Sequence, residues 1–225
     1  MIEIAYQPRM PRKLFARQSL NVTALRLFDL YKTAIYAVYK KQNPQDEDIQ
    51  TCQKQYEEKN QKLSEHDSYK DPFFHHALEG ALGAIRDWAD EKCHIESYIA
   101  YDSATGREVG FLLFTEATIK INGADRPVVY ISELGVDVQY GRQGIGKHLM
   151  ECVLNHYPDA KKREFFLITR TYNTAAIGLY GTRLNFTPID PAQFGLDERF
   201  IGFSYGTDKR NEDGAEVRNG PGYGF

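Results

Sequence analysis

A glycine-rich turn between a predicted strand and a predicted helix constrains this chain more than any other feature. Residues 134–150 read LGVDVQYGRQGIGKHLM and follow the apolar run VVYI at 128–131. Apolar residues recur after the turn with the spacing of one helix face: Ile145, Leu149, Cys152 and Val153. The first N–H groups of a helix have no carbonyl partner and carry partial positive charge. The turn is therefore predicted to bind a phosphate, with Arg142 and Lys147 adding full charges.

Two common phosphate motifs fit this turn incompletely. Residues 141–148 match the P-loop pattern G-x-x-x-x-G-K-[ST] except at the last position, where His148 cannot offer Mg²⁺ a hydroxyl. The dinucleotide fingerprint G-x-G-x-x-G/A begins with Gly144 and Gly146, but Leu149 stands where the third small residue belongs. Neither a P-loop nucleotide nor a dinucleotide is therefore the favoured ligand.

A third motif fits better. The stretch LGVDVQY at 134–140, followed by QGIGKHL at 143–149, resembles the strand–loop–helix element of the GNAT superfamily of acyl-CoA N-acyltransferases, which includes N-acetyltransferases. The loop pattern of that family is [RQ]-x-x-G-x-[GA]. The family usually places Arg or Gln three residues before the first glycine and follows it with Gly, whereas this chain reads Gly141-Arg142, as if transposed. The backbone amides survive this swap, but the arginine side chain leaves the backbone at a different point.

A second element lies downstream in the order that the family has. Residues 173–186, NTAAIGLYGTRLNF, resemble the family's N-x-x-A-x-x-L-Y…L-G-F element and carry Asn173 and Tyr180. Asn185 replaces the usual glycine, and asparagine also tolerates the left-handed backbone of a helix end. The segment after Tyr180 is one residue longer than usual and contains Gly181, which predicts a distorted helix end. From the residues alone, Asn173 is a helix N-cap and Tyr180 a half-buried aromatic.

Hydrophobic patterning predicts the remaining elements. Strands are predicted at 1–6, 94–101, 108–121, 126–138, 164–169 and 199–205, and helices at 21–43, from 71 onward, at 144–157 and at 173–184. This order is that of an α/β protein with a mixed sheet. The resemblance implies the GNAT fold, a central mixed and mostly antiparallel sheet flanked by helices, in one domain over residues 1–206. Residues 45–70 are predicted to be a polar insertion, and 207–225 a disordered tail.

Composition excludes several functional classes. A net charge of −3 and a pI near 6.1 argue against nucleic-acid binding, which usually needs a basic face. No apolar run is long enough to cross a membrane, and the first residues lack the apolar core of a signal peptide. Cys52, Cys93 and Cys152 form neither a metal nor a disulfide pattern. A cytoplasmic protein without a metal site is expected.

The resemblance assigns acetyl-CoA as the co-substrate and gives each part of the reaction a residue. The cofactor-binding residues are predicted to be Val136, Val138, Gly141, Arg142, Gln143, Gly144, Ile145, Gly146, Lys147, Asn173 and Tyr180. By resemblance, the strand after Ser132 splays from its neighbour, and the N–H of Val136 receives the thioester carbonyl. Tyr180 is the predicted acid, because a phenol with a pKa of about 10 is protonated at neutral pH.

Glu133 is the candidate base, with a structural or substrate-contacting role left open beside it. Family members often carry a carboxylate pair in this region, and the commonly catalytic one aligns with Ser132. Regular alternation sends residues 132 and 133 to opposite faces of the sheet, so Glu133 is expected to face away unless a bulge shifts it.

The resulting hypothesis is an N-acetyltransferase that transfers acetyl from acetyl-CoA to a primary amine. The amine belongs either to a small molecule or to a protein, and a homodimer also stays open. The alternative is a catalytically inactive CoA-binding regulatory module, against which the retention of Asn173 and Tyr180 argues. Residues 45–70 lie between the two helices that border the acceptor site in this family, so they are expected to shape specificity.

Overall fold

A seven-stranded sheet organises the chain. The computed structural model describes residues 1–7, 95–159 and 163–206, and in addition residues 30, 41–43, 45 and 50. The strands are β1 (Ile2–Gln7), β2 (Ile95–Asp102), β3 (Arg107–Ile121), β4 (Ala124–Val136), β5 (Phe165–Arg170), β6 (Thr187–Ile189) and β7 (Phe200–Tyr205). Their order in the sheet is β1-β2-β3-β4-β5-β7-β6. Only β4 and β5 pair in parallel among these strands, which confirms the predicted mixed, mostly antiparallel sheet.

Four predicted segments lie outside the described residues, except for a few positions between 30 and 50. They are the two early helices, the polar insertion at 45–70 apart from single positions, and the tail at 207–225. Within the described ranges, none of the helices has the length and apolar character needed to span a bilayer.

The helix after the glycine-rich turn, α1 (Ile145–His156), agrees with the predicted segment to within one residue at each end. It buries one apolar face against the sheet through Ile145, Leu149, Met150 and Val153. Gly110 of β3 permits this close approach, because a Cβ at that position would lie 3.1 Å from the Ile145 side chain and 3.3 Å from that of Leu149. The start of α1 is thereby fixed against the centre of the sheet.

The second resembling element forms a helix that changes type. Asn173 caps α2 (Thr174–Ile177), and a π-helix follows at Gly178–Arg183. Its wider turn is visible in the bond from the Leu184 N–H to the Leu179 carbonyl, 3.1 Å, which spans five residues. A π-turn accommodates one extra residue within a helix. The predicted distorted helix end is confirmed.

Short elements escaped the sequence-based prediction. They are β6 at the sheet edge and two 3₁₀-helices, Val138–Tyr140 and Pro191–Phe194. A three-residue strand containing Pro188 carries too short a pattern to be detected, and its proline is tolerated because the strand lies at an edge.

Two apolar clusters cover the two faces of the sheet. The larger one lies beneath α1 and includes Leu112, Phe114 and Ile131. The smaller one lies on the opposite face, around Val128 and Phe166.

Candidate functional site

The parallel strands β4 and β5 part after a short stretch of pairing. They pair only from Val129 to Ile131 on β4 and from Phe165 to Leu167 on β5. Both strands continue beyond that point, β4 to Val136 and β5 to Arg170. Residues 132–136 and 168–170 therefore border an opening in the sheet, here called the strand gap. This is the splay that the resemblance implies.

The backbone of β4 directs N–H groups into the strand gap. The Asp137 N–H donates to the Val109 carbonyl of β3 at 2.9 Å. Because N–H groups of successive residues in a strand point to opposite edges, the N–H of Val136 points away from β3 and towards the gap. A carbonyl oxygen placed in the gap would meet this donor. The predicted oxyanion donor thus has the required direction.

The glycine-rich turn lies at the mouth of the strand gap. Gly144 caps α1 with a φ of 82°, in the left-handed region that glycine adopts without strain. The first bond of the helical ladder runs from the His148 N–H to the Gly144 carbonyl at 2.9 Å. The N–H groups of Ile145, Gly146 and Lys147 precede that bond and point out of the helix end. Residues 141–147 are here called the phosphate turn.

Gly146 joins the phosphate turn to the rest of the site. A Cβ at this position would lie 3.4 Å from the Leu179 side chain and 3.6 Å from that of Val136. The start of α1, the end of β4 and the π-helix that carries Tyr180 therefore meet at one point. The two sequence elements that resemble the GNAT family form one site.

The transposed pair Gly141-Arg142 has a backbone consequence. Arg142 adopts a φ of 65°, a left-handed conformation that costs a non-glycine residue about 1–2 kcal/mol. Gly141 has an ordinary φ of −59°, and its N–H donates to the Val138 carbonyl at 3.2 Å. The Gly141 amide is thus used within the turn itself. The swap leaves the strained position to arginine.

The remaining predicted residues of the turn are exposed. Arg142 and Gln143 face solvent. Val138, which precedes the phosphate turn, is also exposed, with 58% of its surface accessible. The Lys147 ammonium forms an ion pair with Glu151 one helical turn later, at 2.8 Å. Such an exposed pair contributes little to stability, so the lysine can exchange it for a phosphate.

The two residues of the second element have different surroundings. The Asn173 side chain accepts a hydrogen bond from the Ala176 N–H at 3.2 Å, so the N-cap expected from the residues alone is confirmed. Its amide also lies 3.3 Å from the Thr169 hydroxyl. Tyr180 is 7% exposed and belongs to the cluster beneath α1, into which Leu134 and Val136 also pack. The asparagine caps the helix that leads to Tyr180, whose ring packs on Phe186 and Phe203.

A β-bulge interrupts β4 at the start of the strand gap. Leu113 of β3 lies opposite Glu133, whereas its neighbour Phe114 lies opposite Ile131. Ser132 is the extra residue, and its hydroxyl donates to the Leu113 carbonyl at 3.3 Å. The expectation of regular alternation is therefore wrong at this point, because a bulge inserts one residue and reverses the phase of the strand.

The bulge decides which face carries Glu133. Directly paired residues share a face, so Glu133 lies with Leu113 and Tyr130 and opposite α1. Burial raises the pKa of the Glu133 carboxyl to about 7. The pKa of Tyr130 is also raised, first by burial and then by the charge of Glu133. A carboxyl group with a pKa near neutral pH thus lies close to the point at which β4 and β5 stop pairing.

Sequence reasoning missed Asp137, which is only 2% exposed. It forms the N-cap of the 3₁₀-helix that leads into the phosphate turn, with its side chain accepting the Gln139 N–H at 2.9 Å. The sequence signal that would have identified Asp137 is an aspartate directly between a strand and a turn, where its side chain can accept backbone N–H groups. Among the described residues, His, Cys, Asp and Glu side chains form no group of three suited to a metal ion.

Comparisons with known proteins agree with this geometry. PH1933 from Pyrococcus horikoshii OT3 superposes with a TM-score of 0.56 at 16% sequence identity, over 91% of this chain and 99% of that one. The PaiA N-acetyltransferase of Thermoplasma acidophilum, solved in complex with coenzyme A, gives a TM-score of 0.55 at 12% identity, over 92% and 99%. At these identities the likeness shows the fold. No curated protein matches the chain.

The family is shown by the sequence itself. The model of the acetyltransferase (GNAT) family matches residues 35–186, which is more than half of the chain. The match spans β2 to β5, the phosphate turn and the element that carries Asn173 and Tyr180. The chain therefore belongs to the GNAT acetyltransferase family.

Proposed function

We propose that this protein is an acetyl-CoA-dependent N-acetyltransferase in which a primary amine attacks the thioester directly. The observation that carries the proposal is the strand gap with the phosphate turn at its mouth. A pyrophosphate on the helix amides would direct an extended thiol arm into the gap, where the Val136 N–H points. The Thermoplasma protein of the same fold was solved with coenzyme A, which supports this ligand class.

In the proposal, the phosphate turn binds the pyrophosphate of the co-substrate. The N–H groups of Ile145, Gly146 and Lys147 supply hydrogen bonds, and the helix dipole favours the negative charge. Arg142 and Gln143 lie exposed beside these amides, within the same turn. Gly141 and Gly144 shape the backbone around the ligand. Val138 forms the outer rim, and Asn173 acts by placing the helix that carries Tyr180.

The proposed chemistry assigns one role to each group around the gap. Glu133 accepts the proton of the attacking amine, for which a pKa near 7 suits a base at neutral pH. The Val136 N–H donates to the oxygen on which charge develops. Tyr180 donates a proton to the departing thiolate as the carbon–sulfur bond breaks. Because Glu133 lies on the face opposite α1, the amine is expected to enter from that face.

The acceptor belongs to one of two classes, a small-molecule amine or an amine of a protein. A panel of both, incubated with acetyl-CoA and followed by mass spectrometry, identifies it. Binding of CoA without transfer to any acceptor would instead favour the inactive regulatory module. The raised pKa of the half-buried Glu133 favours the enzyme, since a group poised to titrate near neutral pH is typical of catalytic sites.

Gly144→Asp is predicted to abolish CoA binding and acetyl transfer without unfolding the protein. The substitution places a carboxylate on the helix amides where the pyrophosphate should bind. CoA at about 100 times its Kd should stabilise the wild type by about 2.7 kcal/mol in thermal unfolding, and the variant not at all.

The matched control is Gly123→Asp in the β3–β4 hairpin. Its φ of 78° imposes the same backbone strain as the 82° of Gly144, and both positions are sterically open. This control should keep its affinity for CoA. Equal CoA affinity of Gly144→Asp and the wild type in calorimetry would remove the phosphate turn from the proposal.

Glu133→Gln is predicted to lower kcat by about 10²–10⁴-fold, the usual contribution of a general base. In the wild type, kcat/KM should fall as the pH drops below about 7, because the carboxyl becomes protonated, and this decline should be absent in the variant. Glu116→Gln on the exposed side of β3 is the control and should keep the profile. A wild-type pH profile in Glu133→Gln would exclude this residue as the base.

The same substitution should change the pH dependence of stability. A carboxyl whose pKa is raised by folding stabilises the protein fully below its unfolded pKa of about 4.3, and this contribution is lost as the pH rises through about 7. The free energy of unfolding of the wild type should therefore decline relative to Glu133→Gln between pH 5 and pH 8. Denaturant titrations of both proteins at pH 5 and pH 8 measure this difference in the free energy of unfolding.

Tyr180→Phe is predicted to lower kcat with little change in the KM for acetyl-CoA. Only the hydroxyl is removed, and its effect belongs to the transition state. The loss in single-turnover rate should be about 10²–10⁴-fold. Tyr205→Phe is the control, because the rings of Tyr180 and Tyr205 both pack on Phe186, with centroid distances of 6.1 Å and 5.1 Å. Unchanged single-turnover rates in both variants would leave Tyr180 a packing residue.

A further inference from the structure

The turn between β2 and β3 is tied by side chains to the segment that leads into the phosphate turn. The Tyr140 hydroxyl donates to the Asp102 carboxylate at 3.0 Å. The Arg107 guanidinium donates to the Asp137 carboxylate at 2.9 Å. Asp102 and Arg107 face each other as the first pair of the β2–β3 hairpin. These four residues are here called the loop clamp.

Asp137 is the buried half of the clamp. Its side chain is 3% exposed, whereas that of Arg107 is 56% exposed. Its second carboxylate oxygen accepts the Gln139 N–H, and its backbone carbonyl accepts the Tyr140 N–H, both at 2.9 Å. Asp137 is thus held by Arg107 of β3 and by two N–H groups of the 3₁₀-helix. These bonds fix the direction of the backbone at the end of β4.

Asp102 is the hydrogen-bond acceptor of the loop clamp on the β2–β3 turn. One carboxylate oxygen accepts the Ala104 N–H at 3.0 Å, and the other accepts the Tyr140 hydroxyl. These two bonds, the backbone one first, lower the pKa of Asp102. Hydrogen bonds to an ionised carboxylate are stronger than those between neutral groups. The β2–β3 turn therefore anchors Tyr140 with a charged partner.

The phosphate turn needs such an anchor because of Arg142. This residue follows Tyr140 by two positions and holds a left-handed backbone with a φ of 65°. A strained conformation persists only where the surrounding structure over-determines it. The segment between the clamp and α1 is otherwise exposed, from Gly141 to Gly144.

We propose that the loop clamp is a positioning element for the pyrophosphate of CoA, in which the β2–β3 turn holds the phosphate turn in its binding conformation before the ligand arrives. The inference rests on the proposed function, because it concerns the same ligand. Tyr140 and Arg107 act through the backbone of the turn and contact no reacting atom. Their removal should weaken the binding of ligands that carry a pyrophosphate and leave the chemical step unchanged.

The test is Tyr140→Phe, which removes one hydroxyl and keeps the ring. The KM for acetyl-CoA should rise by about three- to tenfold, with kcat within about twofold of the wild type. The matched control is Tyr6→Phe, since Tyr6 also donates to a carboxylate, that of Glu96, on β2. The control should keep the wild-type KM. Arg107→Gln, at an exposed position, tests the second arm independently and should also raise KM.

S-Acetylpantetheine separates positioning from a general structural effect, because it carries the thioester without the pyrophosphate. Its kcat/KM should be the same in the wild type, Tyr140→Phe and Arg107→Gln. A double-mutant cycle of Tyr140→Phe with Asp102→Ala should give no further loss for acetyl-CoA beyond that of either single change.

Two results would overturn the inference: an unchanged KM for acetyl-CoA in both Tyr140→Phe and Arg107→Gln, or an equal loss with S-acetylpantetheine. Calorimetry of CoA with the wild type distinguishes failure of the positioning inference from failure of the proposed function. Absence of CoA binding by the wild type refutes the proposed function itself, whereas tight binding that the clamp variants share overturns only the positioning role.

Discussion

The parting of β4 from β5 is the constraint on which the site depends. Backbone N–H and C=O groups inside a protein must find partners, and in a sheet the partner is the next strand. Beyond Ile131 and Leu167 that partner is absent, so β4 presents the Val136 N–H to the gap. A thioester arm that enters the gap completes the hydrogen bonding of the sheet. In the proposed function, the backbone group that the sheet leaves open is therefore the one that activates the acyl group.

Two local departures from regular structure lie in the elements that carry the proposed base and acid. The bulge at Ser132 reverses the phase of β4 and moves Glu133 to the face opposite α1, where burial brings its pKa to about 7. The π-turn at Gly178–Arg183 absorbs one residue, and Tyr180 within it is buried in the cluster beneath α1. In the proposed mechanism, base and acid therefore act from opposite faces of the sheet: Glu133 receives a proton from the amine, and Tyr180 supplies one to the thiolate.

Sequence patterns predicted what depends on neighbours along the chain. The strand, the phosphate turn and α1 follow from local periodicity and glycine spacing, and one surplus residue after Tyr180 was enough to predict a distorted helix. The bulge depends on how β4 pairs with β3, which the β4 sequence does not contain. The loop clamp joins Asp102 to Tyr140 across 38 positions, and only the folded sheet brings them together.

A crystal structure of the chain with CoA tests the central claim most directly. We predict pyrophosphate oxygens within about 3 Å of the backbone nitrogens of Ile145, Gly146 or Lys147, with the pantetheine arm between β4 and β5. The hydrogen-bond pairing of the two strands should still end at Ile131 and Leu167. CoA bound elsewhere, or strands that pair through to Val136 and close the gap, would contradict the account.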